Sequence, residues 1–355
     1  MGNQYYKQRD QKTLQKANKI IDALPAFCAS FFRSMENTTA ALTRYAYALD
    51  LRTFFTFLSQ TLYPEKSLEI NEISLDDLQN LDVDTIEEFL FYVSYYEHDE
   101  ERIFHNDNKA KLRKLSAVRA LFNSLFKKKL LKTNVAALVN APKSVEKPIV
   151  RLEPNETASL LDTVESGRQL TDHEQTYHKQ TKKRDLSIVT LLLGTGIRVS
   201  ELVGLNISDI DFSSSSFRVT RKGGNVVLLY FGDEVETSLQ DYLQERGSIV
   251  PCDGHEEALF LSIQKKRIST RAVQNLVKKY SQTAVPLKNI SPHKLRSTYG
   301  TALYQETGDI YLVADVLGHR DINTTKKHYA AQSDTNRRLA ARVVRLRDDA
   351  EGTES

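Results

Sequence analysis

Apolar residues recur at the spacing of a helix face through much of the first half of the chain. From Thr38 to Leu62 the stripe is Leu42, Tyr45, Ala46, Leu49, Phe54 and Leu58. Val83 to Tyr96 repeats the pattern, with Asp84 placed to cap its start. Between about Lys109 and Leu131, Leu112, Leu115, Val118, Leu121, Phe122 and Phe126 fall on one side and basic residues on the other. Asn140-Ala141-Pro142 then leads to Pro148 and Pro154, and two prolines among polar residues read as a linker. The chain is expected to form a helical domain over residues 1–147 and a second domain over 148–355.

In the second half the pattern is mixed. Glu156–Val164 reads as a short helix, and Glu165–Lys183, polar and without a period, as an exposed loop. Asp185–Leu193 is an apolar helix that stops at Gly194-Thr195-Gly196, and Ser200 is placed to cap a further helix through Leu205. Phe217–Thr220 and Val226–Phe231 are β-rich runs joined through Gly223-Gly224, the mark of a hairpin. Helical patterns follow at Thr270–Gln282, Pro292–Thr307, Ile310–Leu317 and about Asp334–Arg347. The fold class is therefore mainly α with a small β-sheet: a helical N-terminal domain and a mixed α/β C-terminal one.

Composition narrows the class without naming a chemistry. A length of 355 residues suggests two domains, and 40% hydrophobic residues supply two cores. No stretch approaches the roughly 18 consecutive apolar residues of a membrane helix, so no membrane insertion is expected. The start, MGNQYYKQRDQK, carries no apolar run behind its charges and is not read as a signal peptide. Cys28 and Cys252 lie far apart and outside any CxxC pattern, which fits a reducing cytoplasm. The net charge of +3 matters less than its distribution. Residues 65–101 are acidic and residues 102–147 basic, with Lys109, Lys111, Arg113, Lys114, Lys127, Lys128 and Lys129 as candidate contacts to a polyanion. A merely solvated helix face explains the same charges.

The chemistry lies in three clusters of the second half: Gly194-Thr-Gly-Ile-Arg198-Val-Ser-Glu201, Pro292-His293-Lys-Leu-Arg296, and Leu317-Gly-His319 with Tyr329 behind it. Gly194 and Gly196 do not make a dinucleotide loop, because a third glycine and a preceding strand are missing. Together with Lys222 on the Gly-Gly hairpin, the clusters hold what phosphodiester transfer requires. Two guanidiniums can clamp the non-bridging oxygens of a phosphate. They also meet the charge that builds in the transition state. A tyrosine hydroxyl attacks once cations or a base help remove its proton. A lysine or histidine can protonate the departing oxygen.

These residues resemble the tyrosine recombinases, the phage-integrase-like enzymes that include the Xer proteins. The resemblance covers roughly residues 155–332, with the motifs in the family's order. It implies that Arg198, Lys222, His293, Arg296 and His319 form the catalytic set around the nucleophile Tyr329, with Glu201 steadying the site. It also implies that the first half is a core-binding domain and that the two domains clamp a DNA duplex. A terminal helix would dock on the next protomer. Thr220-Arg-Lys-Gly-Gly-Asn225, the polar stretch near Thr171–Lys183 and the length look most like the XerS subgroup, in which one recombinase resolves chromosome dimers. His319 and Tyr329 are ten residues apart, one more than is common in the family, which weakens the placement in the Xer subgroup.

The partners implied are a double-stranded recombination site and further copies of the chain, a dimer per site and a tetramer on two sites, with an accessory protein besides. No cofactor is expected, since the phosphotyrosyl bond conserves the energy of the phosphodiester. No metal is expected either: His173 and His178, read as solvent-exposed, have no acidic or cysteine partner at ligand spacing. An integrase of a phage or conjugative transposon is the nearest alternative, though the stretch before Thr38 is read as leaving no room for an arm-binding domain. A type IB topoisomerase and a DNA-binding protein with a dead site also stay open. Tyr299, Tyr304 and Tyr311 are rival nucleophiles, but their helical spacing suggests packing.

Overall fold

The computed structural model describes residues 4–62, 68–99, 102–143, 149–221, 223–318, 321–323 and 325. Lys222, His319, Tyr329 and the helix expected over Asp334–Arg347 lie outside the described residues. The chain divides into two compact units, Met1–Lys147 and Pro148–Ser355.

Unit 1 is helical. Its elements are α1 (Gln4–Ile21), α2 (Phe27–Ser34), α3 (Ala41–Leu62), α4 (Leu75–Gln79), α5 (Val83–Tyr92), the hairpin β1 (Tyr95–Asp99) and β2 (Arg102–His105), α6 (Asn108–Lys127) and α7 (Val135–Leu138). Helix α3 runs through the centre and buries Leu51, Phe54, Phe55 and Leu58. Phe54 meets Phe89 of α5 and Phe122 of α6 edge-on, with ring centroids 5.0 and 6.3 Å apart, the arrangement ring quadrupoles favour.

Several expectations for this unit need correction. Helices α1 and α2 precede Thr38 and belong to the same unit as the helices after it. Asp82, not Asp84, caps α5: its Oδ1 accepts the Thr85 N–H at 2.8 Å, while Asp84 already lies in the first turn. That helix ends at Tyr92, where the chain turns into β1. The basic face of α6 is smaller than its sequence suggests. Lys114 is buried and pairs with Asp50 of α3 at 3.4 Å. Arg113 binds the same carboxylate. Lys114 is therefore withdrawn from the outer face, and Arg113 is half spoken for. Burial pushes the Asp50 carboxyl above its usual range, against the pull of Arg113 and Lys114. Arg119 donates to the carbonyls of Ala136 and Val139 and ties α6 to α7.

Unit 2 comprises α8 (Pro154–Ser166), α9 (Asp172–Thr195), α10 (Val199–Leu202), a three-stranded antiparallel sheet of β3 (Ile210–Asp211), β4 (Ser216–Thr220) and β5 (Val226–Tyr230), then α11 (Asp233–Gly247), α12 (Thr270–Ala284), α13 (Pro292–Thr307) and α14 (Ile310–Leu317). The hairpin pairs Phe217 with Leu229 and Thr220 with Val226. The fold is thus mainly helical with one small sheet in this unit, as its patterns predict.

Most of the stretch expected to be an exposed loop is helix. A capping box between Thr171 and Glu174 starts α9, which continues unbroken to Thr195. Its buried face in the first half is polar: His178, Thr181 and Asp185 recur at helical spacing and lead into Ile188. Asp185 accepts from Thr181 and from the Tyr280 hydroxyl of α12, each at 2.9 Å, and pairs with Arg184 at 2.6 Å. His178 is buried, not exposed: its Nε2 lies 2.9 Å from the Val164 carbonyl of α8. Ser200 caps no helix. Arg198 is the N-cap of α10, which is one turn long. Among the described residues, no helix is long and apolar enough to cross a membrane.

Candidate active site

Helix α14 is held at its start by the Asp309 carboxylate, which accepts from the N–H groups of Tyr311 and Leu312. It stops at Gly318, which adopts the left-handed conformation at φ 61°. Its last carbonyls have no partners inside the helix, and they carry the negative end of the helix dipole. Three guanidiniums, brought from three other elements, occupy that end.

The first is Arg198. Helix α9 closes at Gly196, also left-handed at φ 61°, and the chain turns into the short box of α10. Glu201, buried, accepts the Arg198 N–H at 3.0 Å through Oε2 and the Arg198 Nη1 at 2.8 Å through Oε1. That double grip fixes the side chain, whose Nη2 donates to the Gly318 carbonyl at 3.0 Å. About a third of the Arg198 side chain, 35%, stays open to solvent.

The second is Arg296, buried on α13. Pro292 begins this helix at a position where its missing N–H costs no bond. Arg296 Nη1 donates to the Gly196 carbonyl and Nη2 to the Leu317 carbonyl. One planar fork thus joins the ends of α9 and α14, a task that lysine, a point charge, cannot perform. His293 stands one turn earlier on α13 and is exposed.

Sequence reasoning did not foresee the third. Arg221 leaves the β4–β5 hairpin and donates to the carbonyls of Asp315 at 3.3 Å and Val316 at 2.7 Å. Burial lowers its pKa most; Glu201 and Asp315 oppose that loss, and Arg198 adds to it. Nothing in the sequence marks this arginine out, apart from its place next to Lys222.

The structure therefore brings Arg198, Glu201 and Arg296 together with Arg221, and sets His293 one turn from Arg296. In the sequence, Lys222 follows Arg221 and His319 follows Gly318. Such a cluster of fixed cations suits a phosphate. Of the rival tyrosines, Tyr299 is packed against Gly196, and burial raises its hydroxyl pKa, which disfavours the phenolate. Tyr304 is half-buried and packs against Val313 and Leu317. Tyr311, expected to pack, is 73% exposed. Among the described residues no group of three His, Cys, Asp or Glu side chains could hold a metal ion.

In unit 1, Lys109, Lys127, Lys128 and Lys129 are exposed, and Lys111 is half-buried. Lys128 spends one donor on the Ser30 carbonyl at 2.8 Å.

Residues 151–336 match the phage integrase family. The chain is 33% identical to a tyrosine recombinase XerC from Caldanaerobacter subterraneus subsp. tengcongensis, over 90% of this chain and 85% of that one. It is 28% identical to a tyrosine recombinase XerS from Lactococcus lactis subsp. cremoris, over 89% of this chain and 94% of the other. Among solved structures, a XerH site-specific recombinase bound to its palindromic difH substrate is similar in fold, with a TM-score of 0.65 at 20% identity. The match covers 86% of this chain and 80% of that chain.

Proposed function

From the premise that this chain belongs to the phage integrase family of tyrosine recombinases, enzymes of Xer type that break and rejoin DNA, we propose a site and a biological role. The catalytic set is Arg198, Lys222, His293, Arg296 and His319, Glu201 is its support, and Tyr329 is the nucleophile. The observation that carries this reading is the meeting of Arg198 and Arg296 at the end of α14, immediately before His319.

In this reading the two guanidiniums hold the non-bridging oxygens of the scissile phosphate. They are fixed before DNA arrives, so the charge of the pentavalent transition state meets donors that need not reorganise. The Tyr329 oxygen bonds to phosphorus as the bond to the 5′-oxygen breaks. His293 or His319 takes the tyrosine's proton, and the Lys222 ammonium gives one to the departing oxygen. The 5′-hydroxyl of a partner duplex then attacks the phosphotyrosyl bond, restoring the backbone and passing through a Holliday junction. Unit 1 binds the duplex through the exposed lysines of α6. Two protomers fill a site, two sites pair as a tetramer, and the segment after Tyr329 docks on the neighbouring protomer.

The biological role is resolution of chromosome dimers by a single recombinase. The match to XerS over nearly the whole of both chains supports it, although the XerC relative has the higher identity.

The test begins with a duplex selected from a random pool by the purified protein. Tyr329→Phe should bind a nicked form of that duplex normally and yield no covalent band on a denaturing gel. A covalent band from the mutant removes Tyr329 as the nucleophile. Exchange of flanks between two such sites separates recombination from simple relaxation, and the genomic position of the selected sequence separates dimer resolution from integration of a mobile element.

A further inference from the structure

Lys222 stands in the chain between Arg221 and two glycines. Gly223 and Gly224 follow it with φ of 96° and 85°, and both are exposed. Glycine there permits the turn but gives it no side chain with which to hold still. Arg221 is the residue that holds. Its backbone closes the hairpin, accepting from the Gly224 N–H at 3.0 Å and donating to the Asn225 carbonyl at 2.8 Å. Its side chain reaches across 95 positions of sequence to the Val316 carbonyl. Gly318 lies so close beneath the guanidinium that a β-carbon there would collide with it.

Arg221 caps carbonyls that the other two arginines leave: Arg296 serves Leu317 and Arg198 serves Gly318, while Arg221 serves Asp315 and Val316, and this cap comes at a cost. A third guanidinium at the same end loses hydration and stands near the like charge of Arg198. Its Nε is buried with no hydrogen-bond partner among the described residues. An unpaired buried donor carries a real penalty, so the arrangement costs stability. What it achieves is a fixed relation: the hairpin is clipped to the same helix end that locates Arg198 and Arg296.

We propose that Arg221 is a positioning residue for the general acid. By clipping the hairpin to the C-terminus of α14, it delivers the neighbouring Lys222 at a set distance from the phosphate that Arg198 and Arg296 hold. The inference rests on the reading of Lys222 as general acid. Arg221 itself gives up no proton and touches no reacting atom; its guanidinium faces backbone carbonyls.

The experiment compares two substrates. One is the ordinary nicked duplex. The other replaces the bridging 5′-oxygen at the scissile phosphate by sulfur, a leaving group that needs little protonation. Arg221→Ala should slow cleavage of the oxygen substrate by about 10- to 100-fold, the lower part of what a general acid supplies. On the sulfur substrate it should cleave within about threefold of wild type, as expected when the acid is not needed. Arg221→Lys, able to reach one carbonyl, should show the same pattern at smaller size. The double variant Arg221→Ala/Lys222→Ala should be no slower than Lys222→Ala alone. Equal slowing on both substrates, undiminished cleavage of the oxygen substrate, or additive defects in the double variant would overturn the proposal. Lys222→Ala run alone separates the two levels. If sulfur fails to rescue it, the general-acid reading itself falls and the delivery role with it. If sulfur rescues Lys222→Ala but not Arg221→Ala, only the role of Arg221 falls.

Discussion

The two units hold their positive charge in opposite ways. In unit 1, Lys109 and Lys127 of α6 and Lys129 just beyond its end are exposed to solvent. In unit 2, Arg198, Arg221 and Arg296 turn inward onto the carbonyls of one helix end. Exposed ammonium groups are mobile and screened within about 8 Å at physiological salt, so they act by number and not by geometry. These guanidiniums are tied to carbonyls, with Arg296 buried and Arg198 and Arg221 partly open to solvent, and they have lost much of their freedom already. They can distinguish a transition state from a ground state, because what they offer does not adjust to either. One arrangement suits affinity and the other suits rate.

That division is strongest where Arg296 is altered. Arg296→Lys keeps the charge but cannot span two carbonyls, and should slow cleavage by about 10²-fold or more. The dissociation constant for the duplex should stay within about threefold, since many phosphate contacts share the affinity. Single-turnover cleavage and a gel-shift titration on one preparation decide it; a loss of affinity equal to the loss of rate would erase the division.

A second test asks whether unit 1 also depends on fixed charge. Asp50→Ala should lower the stability of the protein by about 3 kcal/mol, because it leaves buried Lys114 short of its carboxylate. Chemical denaturation followed by circular dichroism measures this. A variant as stable as wild type would show that the pair contributes nothing net.

The smallest effect belongs to the surface. Lys109→Ala/Lys127→Ala/Lys129→Ala should weaken binding by about tenfold and reduce the slope of log affinity against log salt by about 0.9 for each lost contact. Cleavage at saturating protein should not change. An unchanged slope assigns these lysines to the solvated face.

The sequence was most legible where burial is apolar. The stripe through Leu49, Phe54 and Leu58 marks α3, and Pro292–Thr307 and Ile310–Leu317 match α13 and α14 residue for residue. It was least legible where burial is polar. The first half of α9 has a regular helical period, but His178, Thr181 and Asp185 occupy its inner face, and a search for apolar periodicity passes over it. Lys114 fails for the converse reason: a lysine on a basic stretch is read as outward, and only Asp50, 64 positions away, shows that it turns in. At the site, Arg198 and Arg296 were recognisable from their motifs. Arg221 was not, because its partners are backbone carbonyls, and every residue has one of those.

The contacts at the end of α14 also bear on the order in which this protein is made. Arg198 reaches Gly318 across 120 positions, and Arg296 reaches back 100 to Gly196. Contacts of such long sequence separation form late, after the entropy of closing large loops has been met. A chain emerging from the ribosome can fold unit 1, and with it a surface of lysines, well before residue 318 exists. In that interval its arginines have no common anchor. The helix end on which they meet is therefore a safeguard in time: nascent or truncated chains that stop short of α14 lack the seat on which the arginines assemble.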